Sequence, residues 1–530
     1  MKSKAILILA PGKVSDFDKF KKNSWDVNRM PPLGLMSLAS YAKQKGHNIK
    51  IIDCREIIVK HRTNNYIPII LDIAEKFSPD VVGISVLTAS FEESKKISFE
   101  FKKRLPSIPI VAGGPHPSVE PALTFQQIPY IDLIFLGEAE DAFLDFLEGK
   151  NSAEIPGLIC RNNIDNFKKR IVNLDIDRYP FPDYDIVNHK YYAGFSADTT
   201  ISWGFRSLAL LTSRSCSYSC NFCATSWSKP FRYHSLDYVV EMTKNILKYK
   251  IDVISFFDDT IMNFKDRLHK ICSEFIRLKL FWPHTSFRWF ANARADQIDP
   301  KSLSLMKRAG CFGIGIGIES GSDRILNLIN KRTTVGINKR ACNYVKEAGL
   351  FLHTSFIIGF PGETESEMRE TLDFMKKCDA IGVGIFRPLP GSPFYRRFVD
   401  NKILSKENID WSDLGNFSIP SKYSFHNVSE KRFKEIWNEA LEIIRVRRWT
   451  AVHKDALIKY PREIKNIASR TRVKIVEPNK YESSDHFSYI PFSFYSFFNV
   501  LPSILYNFIP FKLRIKIRAA FTGLKKICKL

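Results

Sequence analysis

The strongest constraint on the fold is a repeated pattern of short apolar runs separated by segments of helix length. Five such runs precede residue 150, at 5–10, 49–53, 81–85, 108–112 and 133–136. Six more follow residue 205, at 208–212, 253–257, 287–291, 313–318, 352–358 and 381–386. This alternation is typical of parallel β-sheets whose strands are connected by helices. The sequence therefore predicts an α/β protein with two parallel sheets.

Breaks in this pattern divide the chain of 530 residues into parts. We predict a first α/β domain, a linker rich in Asp, Pro and Tyr, a second α/β domain, a helical region, and an apolar and basic tail, at 1–150, 151–205, 206–400, 401–486 and 487–530 respectively. The hydrophobic content of 45% is enough for several sizeable cores. The chain is therefore expected to be a folded, multidomain protein.

Three cysteines lie in one short segment after the run 208–212, with the spacing C-x3-C-x2-C: Cys216, Cys220 and Cys223. Three thiolates can hold three irons of a [4Fe-4S] cluster and leave the fourth iron open to a small molecule. A zinc site would need a fourth Cys or His nearby, and the next such residue downstream is His234. Zinc binding and chance clustering of core cysteines stay as alternatives, but the spacing favours the cluster.

With Phe222 in the aromatic position, these residues resemble the signature C-x3-C-x-aromatic-C of the radical S-adenosylmethionine (SAM) superfamily. The resemblance implies that Cys216, Cys220 and Cys223 are catalytic and ligate the cluster. It also implies that the reduced cluster cleaves SAM to methionine and a 5′-deoxyadenosyl radical, which abstracts hydrogen from a substrate. An electron donor such as flavodoxin or ferredoxin is then required.

The same resemblance implies that the second set of apolar runs forms a partial (β/α)6 barrel, with active residues at the carboxyl ends of its strands. A pocket for SAM needs a carboxylate acceptor and a guanidinium donor. At these strand ends Arg294, Glu319 and Ser320 match the SAM-contacting positions of the family. The alternative is that Asp258 and Asp259 form an ion pair with Arg294 at the rim of the barrel.

The loops after the first set of strands contain glycines and small hydroxyl residues, which let a backbone approach a flat or bulky ligand. Ligands of parallel sheets bind at the carboxyl ends of the strands. This region resembles the cobalamin-binding domain of B12-dependent radical SAM enzymes, a doubly wound, Rossmann-like fold. The resemblance implies cofactor contacts at Leu33, Gly34, Ser85, Leu87, Gly113, Gly114, Gly137 and Glu138.

The first domain departs from one motif of cobalamin-binding domains. The sequence D-x-H-x-x-G, whose histidine ligates cobalt, has no counterpart after the first strand. We expect His47 and His116 to have other roles, and cobalamin to bind without a protein histidine. Two alternatives follow from the missing ligand: the domain is vestigial, or it binds the substrate.

The formal net charge of +23 favours anionic partners. Because there is no arginine-rich tract and no RNA-binding signature, nucleic acid is not expected. The apolar part of residues 1–10 is too short for a secretory signal, and ten cysteines in a chain of this length are not a disulfide framework. The sequence therefore predicts a cytoplasmic protein.

The tail at 487–530 combines an aromatic and aliphatic stretch, 487–511, with a basic stretch, 512–518. Prolines interrupt it too often for the roughly 20 apolar residues that a transmembrane helix needs. Aromatic residues beside basic ones suit a peripheral contact with anionic lipid on the inner face of the cell membrane. The alternative is that the tail packs on the barrel as part of its core.

The resemblance covers residues 1 to about 400 and implies a group that includes anaerobic magnesium-protoporphyrin ester cyclases, hopanoid-modifying enzymes, and methyltransferases that act on carbon or phosphorus. We expect an enzyme that methylates an unactivated carbon of a small-molecule or lipid-like substrate, with cobalamin as methyl carrier. One SAM then supplies the methyl group and a second makes the radical. The alternatives are a cobalamin-associated cyclase, oxidase or lipid-modifying enzyme without methyl transfer, and a non-catalytic binding protein stabilised by a cluster or zinc.

Overall fold

The computed structural model describes residues 2–12, 30–169, 172–193, 207–224, 229–280, 288–378, 380–417, 420–421, 423 and 425–459. The chain divides into two compact units, Met1–Leu441 and Glu442–Leu530. All the described strands lie in the first unit. The predicted tail at 487–530 lies outside the described residues.

The first sheet contains six strands in the order β2-β1-β3-β4-β5-β6. Their bounds are Lys4–Leu9 (β1), Asn48–Asp53 (β2), Val81–Ser85 (β3), Ile110–Gly113 (β4), Leu133–Phe135 (β5) and Leu158–Cys160 (β6). The five predicted strands are confirmed as β1 to β5, and they are parallel. Strand β6 was not predicted; it comes from the segment interpreted as a linker and pairs antiparallel with β5.

The helices between residues 33 and 147 pack on the faces of this sheet, and one further short helix follows at 189–193. Their bounds are Leu33–Gln44 (α1), Cys54–His61 (α2), Ile67–Phe77 (α3), Phe91–Arg104 (α4), Pro115–Val119 (α5), Pro121–Gln127 (α6), Glu140–Leu147 (α7) and His189–Ala193 (α8). Successive β1 residues belong to different cores: Ile6 and Ile8 to one, and Leu7 and Leu9 to the other. Because successive side chains of a strand point to opposite faces, both faces of β1 are covered, as a doubly wound fold requires.

Eight further strands follow: Ser207–Leu210 (β7), Ser213–Arg214 (β8), Arg232–Tyr233 (β9), Val253–Phe256 (β10), Arg288–Ala293 (β11), Cys311–Glu319 (β12), Phe351–Ile358 (β13) and Ala380–Ile385 (β14). Six of them form the second sheet, in the order β14-β13-β12-β11-β10-β7, and all its pairs are parallel. This curled sheet is the predicted partial barrel, and all six predicted strands are confirmed. The other two, β8 and β9, form a short antiparallel ribbon.

The remaining helices are Leu236–Leu247 (α9), Lys265–Arg277 (α10), Pro300–Arg308 (α11), Asp323–Leu328 (α12), Val335–Glu347 (α13), Glu365–Lys377 (α14), Pro393–Asp400 (α15), Trp411–Leu414 (α16) and Glu430–Lys459 (α17). Helix α14 shows why such segments start where they do: the Thr364 hydroxyl and the Glu367 carboxylate form a capping box. The predicted helical character after the barrel is confirmed by α16 and α17. No described helix is both long and apolar enough to cross a membrane.

The two α/β regions share one hydrophobic core. Ile8 and Val86 of the first region belong to the same buried cluster as Phe360, Phe386 and Trp411 from beyond the fifth barrel strand. A contiguous core of this kind holds the two sheets in a fixed arrangement. The exact boundaries of the predicted domains stay a prediction.

Candidate functional site

The cysteine loop, residues 215–224, follows the ribbon strand β8. Of its three cysteines, Cys220 is buried, and Cys216 and Cys223 are half-buried. Burial raises the pKa of the Cys216 thiol, and the nearby charges of Asp259 and Cys223 raise it further. The loop thus brings Cys216 and Cys223 close to each other, as ligands of one cluster must be.

The described residues contain no group of three or more His, Cys, Asp or Glu side chains that could hold a metal ion. Ligands of one zinc ion must converge on a single point, whereas three cysteines of a [4Fe-4S] cluster bind three separate irons. The zinc alternative therefore has no ligand set in the described part of the chain. Three cysteines on one loop fit the cluster.

Arg294 follows β11 and lies beside the cysteine loop. Its Nη1 is 3.7 Å from the Cys220 sulfur, and its guanidinium carbon is 3.6 Å from the centroid of the Tyr218 ring. Its Nε donates to Asp296 Oδ1 at 3.0 Å, and its Nη2 donates to the backbone carbonyl of Lys331. Because Arg294 is buried and held on four sides, its cation is fixed close to the cluster loop.

The predicted alternative for Arg294, an ion pair with the two aspartates after β10, is not what the structure shows; its carboxylate partner is Asp296. Asp258 is fully buried and accepts hydrogen bonds from Thr212 and Ser213, which lie just before the cysteine loop. Asp259 is reachable by solvent although protein surrounds it on most sides, and this burial, together with the charge of Asp258, raises its pKa. Asp258 thus supports the loop, while Asp259 is accessible to a ligand.

Glu319 ends strand β12 and has a left-handed backbone conformation, with φ of 66°. Its Oε1 accepts a hydrogen bond from Lys331 Nζ at 2.7 Å, and both side chains are less than a tenth exposed. A Cβ atom at Gly317 would lie 2.4 Å from the same oxygen, so this approach requires glycine. The ammonium of Lys331 also lies 5.9 Å from the centroid of the Phe222 ring.

Lys331 is therefore the residue that joins the predicted SAM contacts. It pairs with Glu319, lies over Phe222, and accepts a hydrogen bond from Arg294 through its carbonyl oxygen. Sequence reasoning did not find it, because it lies between two helices and belongs to none of the motifs. Its only sequence signal is a cationic residue shortly after the Glu-Ser pair, which is too common to be specific.

Ser320 follows Glu319 but points its hydroxyl elsewhere. The hydroxyl is 3.2 Å from Thr371 Oγ1 and accepts a hydrogen bond from the backbone N–H of Ser322 at 3.1 Å. Both bonds are buried and stabilise the turn that leads from β12 to α12. A contact between Ser320 and SAM stays a prediction.

The carboxyl edge of the first sheet contains the predicted cobalamin contacts at Ser85, Leu87, Gly113 and Gly114. Gly114 has φ of 105°, and a Cβ there would lie 3.0 Å from the Val86 carbonyl oxygen, so the turn itself requires glycine. The apolar side chain of Leu87 is 41% exposed beside this turn. An accessible apolar side chain next to a glycine turn fits the side of a large, flat cofactor.

Leu33 and Gly34 begin helix α1 at the same edge. Arg55 fixes the segment before them, since its Nη2 donates to the Met30 carbonyl oxygen at 2.7 Å and to Asp53 Oδ2 at 2.6 Å. Gly34 is exposed, and a Cβ there would have no atom within 4 Å. The start of α1 is thus held in place but open on its outer side.

Neither of the two histidines considered in the sequence, His47 and His116, is exposed. His116 is buried between Phe91 and Trp411, with ring centroids at 4.6 and 4.7 Å, and its Nδ1 is 3.1 Å from Thr88 Oγ1. Burial lowers the pKa of His116 to about 3, so its ring is neutral at physiological pH. His47 accepts a hydrogen bond from a backbone N–H at the amino end of β1, far along the strand from the predicted contacts. Cobalamin binding without histidine stays a prediction.

Gly137 and Glu138 follow β5, and Glu138 makes the contact that unites the site. Its carboxylate accepts a hydrogen bond from Arg214 in β8 at 3.0 Å, and two from Arg232 in β9 at 2.6 and 2.7 Å. Burial would raise the pKa of Glu138, but the hydrogen bonds and charges of the two arginines hold it below its usual value. The carboxyl edge of the first sheet therefore contacts both strands that flank the cysteine loop.

Two family models match the chain: the B12 binding domain at residues 27–147 and the radical SAM superfamily at residues 210–375. An uncharacterized methyltransferase of Pyrococcus horikoshii is 32% identical over 389 residues, which are 71% of this chain and 80% of that protein. The chain belongs to the B12-binding radical SAM family. It is therefore an enzyme of this type, and the cofactors of the family are a [4Fe-4S] cluster, SAM and cobalamin.

Two further comparisons, with a cyclase and with the solved structure of a methyltransferase, show how the reactions of similar proteins differ. The anaerobic magnesium-protoporphyrin IX monomethyl ester cyclase of Cereibacter sphaeroides is 25% identical over 70% of this chain and 60% of that protein. The radical SAM methyltransferase TsrM of Kitasatospora setae, solved with cobalamin and a [4Fe-4S] cluster bound, has a TM-score of 0.59, 17% identity, and coverage of 76% of this chain and 75% of that one. The second comparison confirms the fold, and the matched residue ranges give its order, the B12 binding domain first and the radical SAM domain second.

Proposed function

We propose that this enzyme methylates an unactivated carbon of a small-molecule or lipid-like substrate, with cobalamin as the methyl carrier. The observation that carries this proposal is the contact of Glu138 with Arg214 and Arg232. A methyl carrier and a radical generator must reach the same substrate atom, and this contact brings the cobalamin-side loops against the cysteine loop. The methyltransferase relative supports the same direction of chemistry.

The cluster and SAM residues have separate roles in this proposal. Cys216, Cys220 and Cys223 would hold three irons, and Phe222 of the same loop packs edge-on against the Phe360 ring. Lys331 holds Oε1 of Glu319, which leaves Oε2 to accept a hydrogen bond from the SAM ammonium, and Arg294 donates to SAM oxygens. When bound, the cluster supplies the electron that cleaves SAM and cobalamin supplies the methyl group.

On the cobalamin side, backbone and apolar contacts do most of the binding. Leu87 and the glycine turn at Gly113 and Gly114 face the cofactor, and Ser85, Leu33 and Gly34 border it. Gly137 lies at the same edge and approaches the cofactor through its backbone. No histidine ligates cobalt from the protein.

The proposal is tested by anaerobic reconstitution of the full chain with iron, sulfide and cobalamin, followed by analysis of the products of SAM. Methyl transfer consumes one SAM for the methyl group and one for the radical, so we expect both S-adenosylhomocysteine and 5′-deoxyadenosine. Omission of cobalamin should remove the first product and keep the second. Formation of 5′-deoxyadenosine alone in the complete system would support the cyclase or oxidase alternative, and neither product would support a binding protein.

The partners follow from the same chemistry. We infer that a flavodoxin or ferredoxin supplies the electron, and that the protein acts in the cytoplasm. The full chain should form 5′-deoxyadenosine with reduced flavodoxin in place of dithionite. A chain in which flavodoxin gives no product while dithionite does would contradict this donor.

The tail at 487–530 is proposed to contact anionic membrane from the cytoplasmic side. Flotation with anionic vesicles should carry the full chain, but not a chain that ends near Asp485, and salt should weaken the binding without abolishing it. Equal flotation of the two chains would reject this contact. An insoluble truncated chain would show instead that the tail is part of the core.

A further inference from the structure

One carboxylate joins the first sheet to both ends of the cysteine loop. Arg214 in β8 and Arg232 in β9 are direct partners in the antiparallel ribbon, and Glu138 binds both guanidinium groups at 2.6 to 3.0 Å. With Arg232 the contact is bidentate, the geometry in which a guanidinium and a carboxylate fit best. Cys216 is only two residues beyond Arg214.

The ribbon needs such a partner because its own two strands are too short to be stable alone. Each of its strands has two residues, and an isolated two-stranded ribbon is at best marginally stable in water. Its two arginines are directly opposite each other, where like charges repel. The side chains of Arg214, Arg232 and Glu138 are 16%, 3% and 14% exposed, so water and salt screen these charges only weakly.

Hydrogen bonds continue from this carboxylate to the glycine turn of the first sheet. The hydroxyl of Ser118 donates to the Gly114 carbonyl oxygen at 2.7 Å and accepts from the Gly137 N–H at 2.8 Å. Gly137 precedes Glu138 in the chain. A short series of bonded groups therefore connects the turn at Gly114 with both strands of the ribbon.

We propose that Glu138 is a positioning residue that holds the cysteine loop at a fixed place relative to the cobalamin-side loops. Together with Glu140, which pairs with Arg214, it also compensates the charge of the two arginines beside the cluster. This differs from the direct cofactor contact that the motif alone implies for Glu138. The inference needs the cluster and cobalamin of this family but does not depend on whether a methyl group is transferred.

The Glu138→Gln variant of the reconstituted full chain tests this role. It keeps the shape of the side chain but removes one negative charge from the two arginines, while Glu140 Oε1 stays 2.8 Å from Arg214 Nη2. Since the reduced cluster carries one more electron, the excess positive charge stabilises it, and its reduction potential should rise. The misplaced loop should also lower the rate of 5′-deoxyadenosine formation about tenfold, with the iron content close to the parent value.

Asp141→Asn is the matched control. Asp141 lies on α7, three residues after Glu138, and binds Tyr179 and Arg178 rather than the ribbon. Its loss also removes one negative charge, so an unchanged potential and rate in this variant would assign the effect to the ribbon contact. A second variant, Glu138→Asp, keeps the charge but shortens the side chain, and it should keep the parent potential while the rate falls.

The measurements are an anaerobic redox titration followed by electron paramagnetic resonance, and the amount of 5′-deoxyadenosine formed. A Gln variant with the parent potential and rate would overturn the proposal. So would a Gln variant that loses cobalamin while its cluster is unchanged, because Glu138 would then be a cobalamin contact.

If the Gln variant does not retain its cluster, the Glu138→Asp variant decides between the outcomes. A reduced rate of 5′-deoxyadenosine formation at the parent potential supports the proposal, and the parent rate overturns it. A parent enzyme that forms 5′-deoxyadenosine but no S-adenosylhomocysteine refutes methyl transfer alone.

Discussion

The carboxyl edges of the two parallel sheets differ in the chemical groups that they offer to a ligand. At the first sheet the predicted contacts other than Glu138 are glycines, a serine and two leucines, and the nearby His116 is neutral. At the second sheet they are buried charges, with Glu319 paired to Lys331 and Arg294 paired to Asp296. The first edge offers backbone and apolar surface, whereas the second offers fixed charges.

This difference follows from the chemistry of the two cofactors. A large, flat cofactor is bound through surface area, which requires small residues and accessible apolar groups. SAM is small and carries an ammonium, a carboxylate and a sulfonium, so its binding needs oriented charges in a site of low dielectric constant. Apart from Glu138, which contacts the ribbon beside the cysteine loop, we expect each edge to affect mainly its own cofactor when it is mutated. The following experiments test that expectation in order of expected effect.

The largest effect is expected at the cysteine loop. Replacing Cys216 with Ala removes one iron ligand, so the cluster absorbance and SAM cleavage should be lost. Cobalamin binding should persist, because its predicted contacts belong to the first sheet. Cys342→Ala, in a buried cysteine of α13, is the control and should retain iron. A Cys216 variant that forms 5′-deoxyadenosine at the parent rate would show that the cluster assignment is wrong.

A smaller but still large effect is expected for Glu319→Gln. The change leaves Lys331 as a buried cation without its partner, and breaking such a pair costs about 3–5 kcal/mol. We expect the Kd for SAM to rise at least tenfold, which is about 1.4 kcal/mol. Iron and cobalamin contents should stay at the parent values. Equilibrium binding of SAM to the reconstituted enzyme measures this, with the exposed Glu347→Gln as control.

A parallel fall of iron content and SAM affinity in the Glu319 variant would contradict this interpretation. Glu319 would then support the cysteine loop through Lys331 and Phe222 instead of contacting SAM. The double variant Glu319→Gln with Lys331→Met separates the two effects. It removes the unpaired cation, so folding and iron binding should recover while SAM affinity stays low.

At the first edge, Gly114→Val should lower cobalamin retention and spare the cluster. The residue has φ of 105°, where a β-branched side chain is strained by about 1–3 kcal/mol, and its Cβ would press on the Val86 backbone. The measurement is the ratio of cobalamin to iron after reconstitution and desalting. Gly336→Ala is the control, since its Cβ would meet its nearest neighbour at 3.7 Å. Equal loss of both cofactors would contradict the expectation that each edge affects mainly its own cofactor.

The smallest effect is expected for a residue outside both sets of predicted contacts. It concerns the pH dependence of stability and the buried carboxyl of Glu363 in the loop after β13. Burial raises its pKa to about 8, although two backbone N–H groups donate to its Oε2. The folded state therefore keeps a proton that the unfolded state releases above about pH 4.5, so this group makes stability fall as pH rises from about 4.5 to 8. Glu363→Gln cannot titrate, and its Tm should fall less over this range.

Glu367 on α14 is the matched control for that experiment. Its hydrogen bonds and ion pair with Arg324 lower its pKa to about 2, so its contribution is present above about pH 4.5 and lost as pH falls toward 2. Glu367→Gln should thus leave the slope of Tm between pH 5.5 and 8 unchanged. The same slope in the parent and the Glu363 variant would show that Glu363 is ionised in the folded protein.

Most of the fold could be predicted from the sequence. The apolar runs fix the eleven predicted strands, because a buried parallel strand must be apolar on both faces and its ends must be polar. Strand β6 was missed, since its three residues, Leu158–Cys160, are too few to show any period. The contents of the cysteine loop were also predictable, because its three ligands are close together in the chain.

The pairings of the charged residues could be decided only by the tertiary structure. Glu138 is 76 residues from Arg214 and 94 from Arg232, and its motif gave no sign of a role other than cofactor contact. Lys331, in the segment after α12, meets Glu319 at the end of β12 across 12 residues of chain. The sequence by itself determined which elements form and which chemical groups stand at their ends, since both depend on local patterns. Which of these groups meet depends on how the two sheets pack, and that packing is stabilised by apolar contacts that do not encode which charges become neighbours.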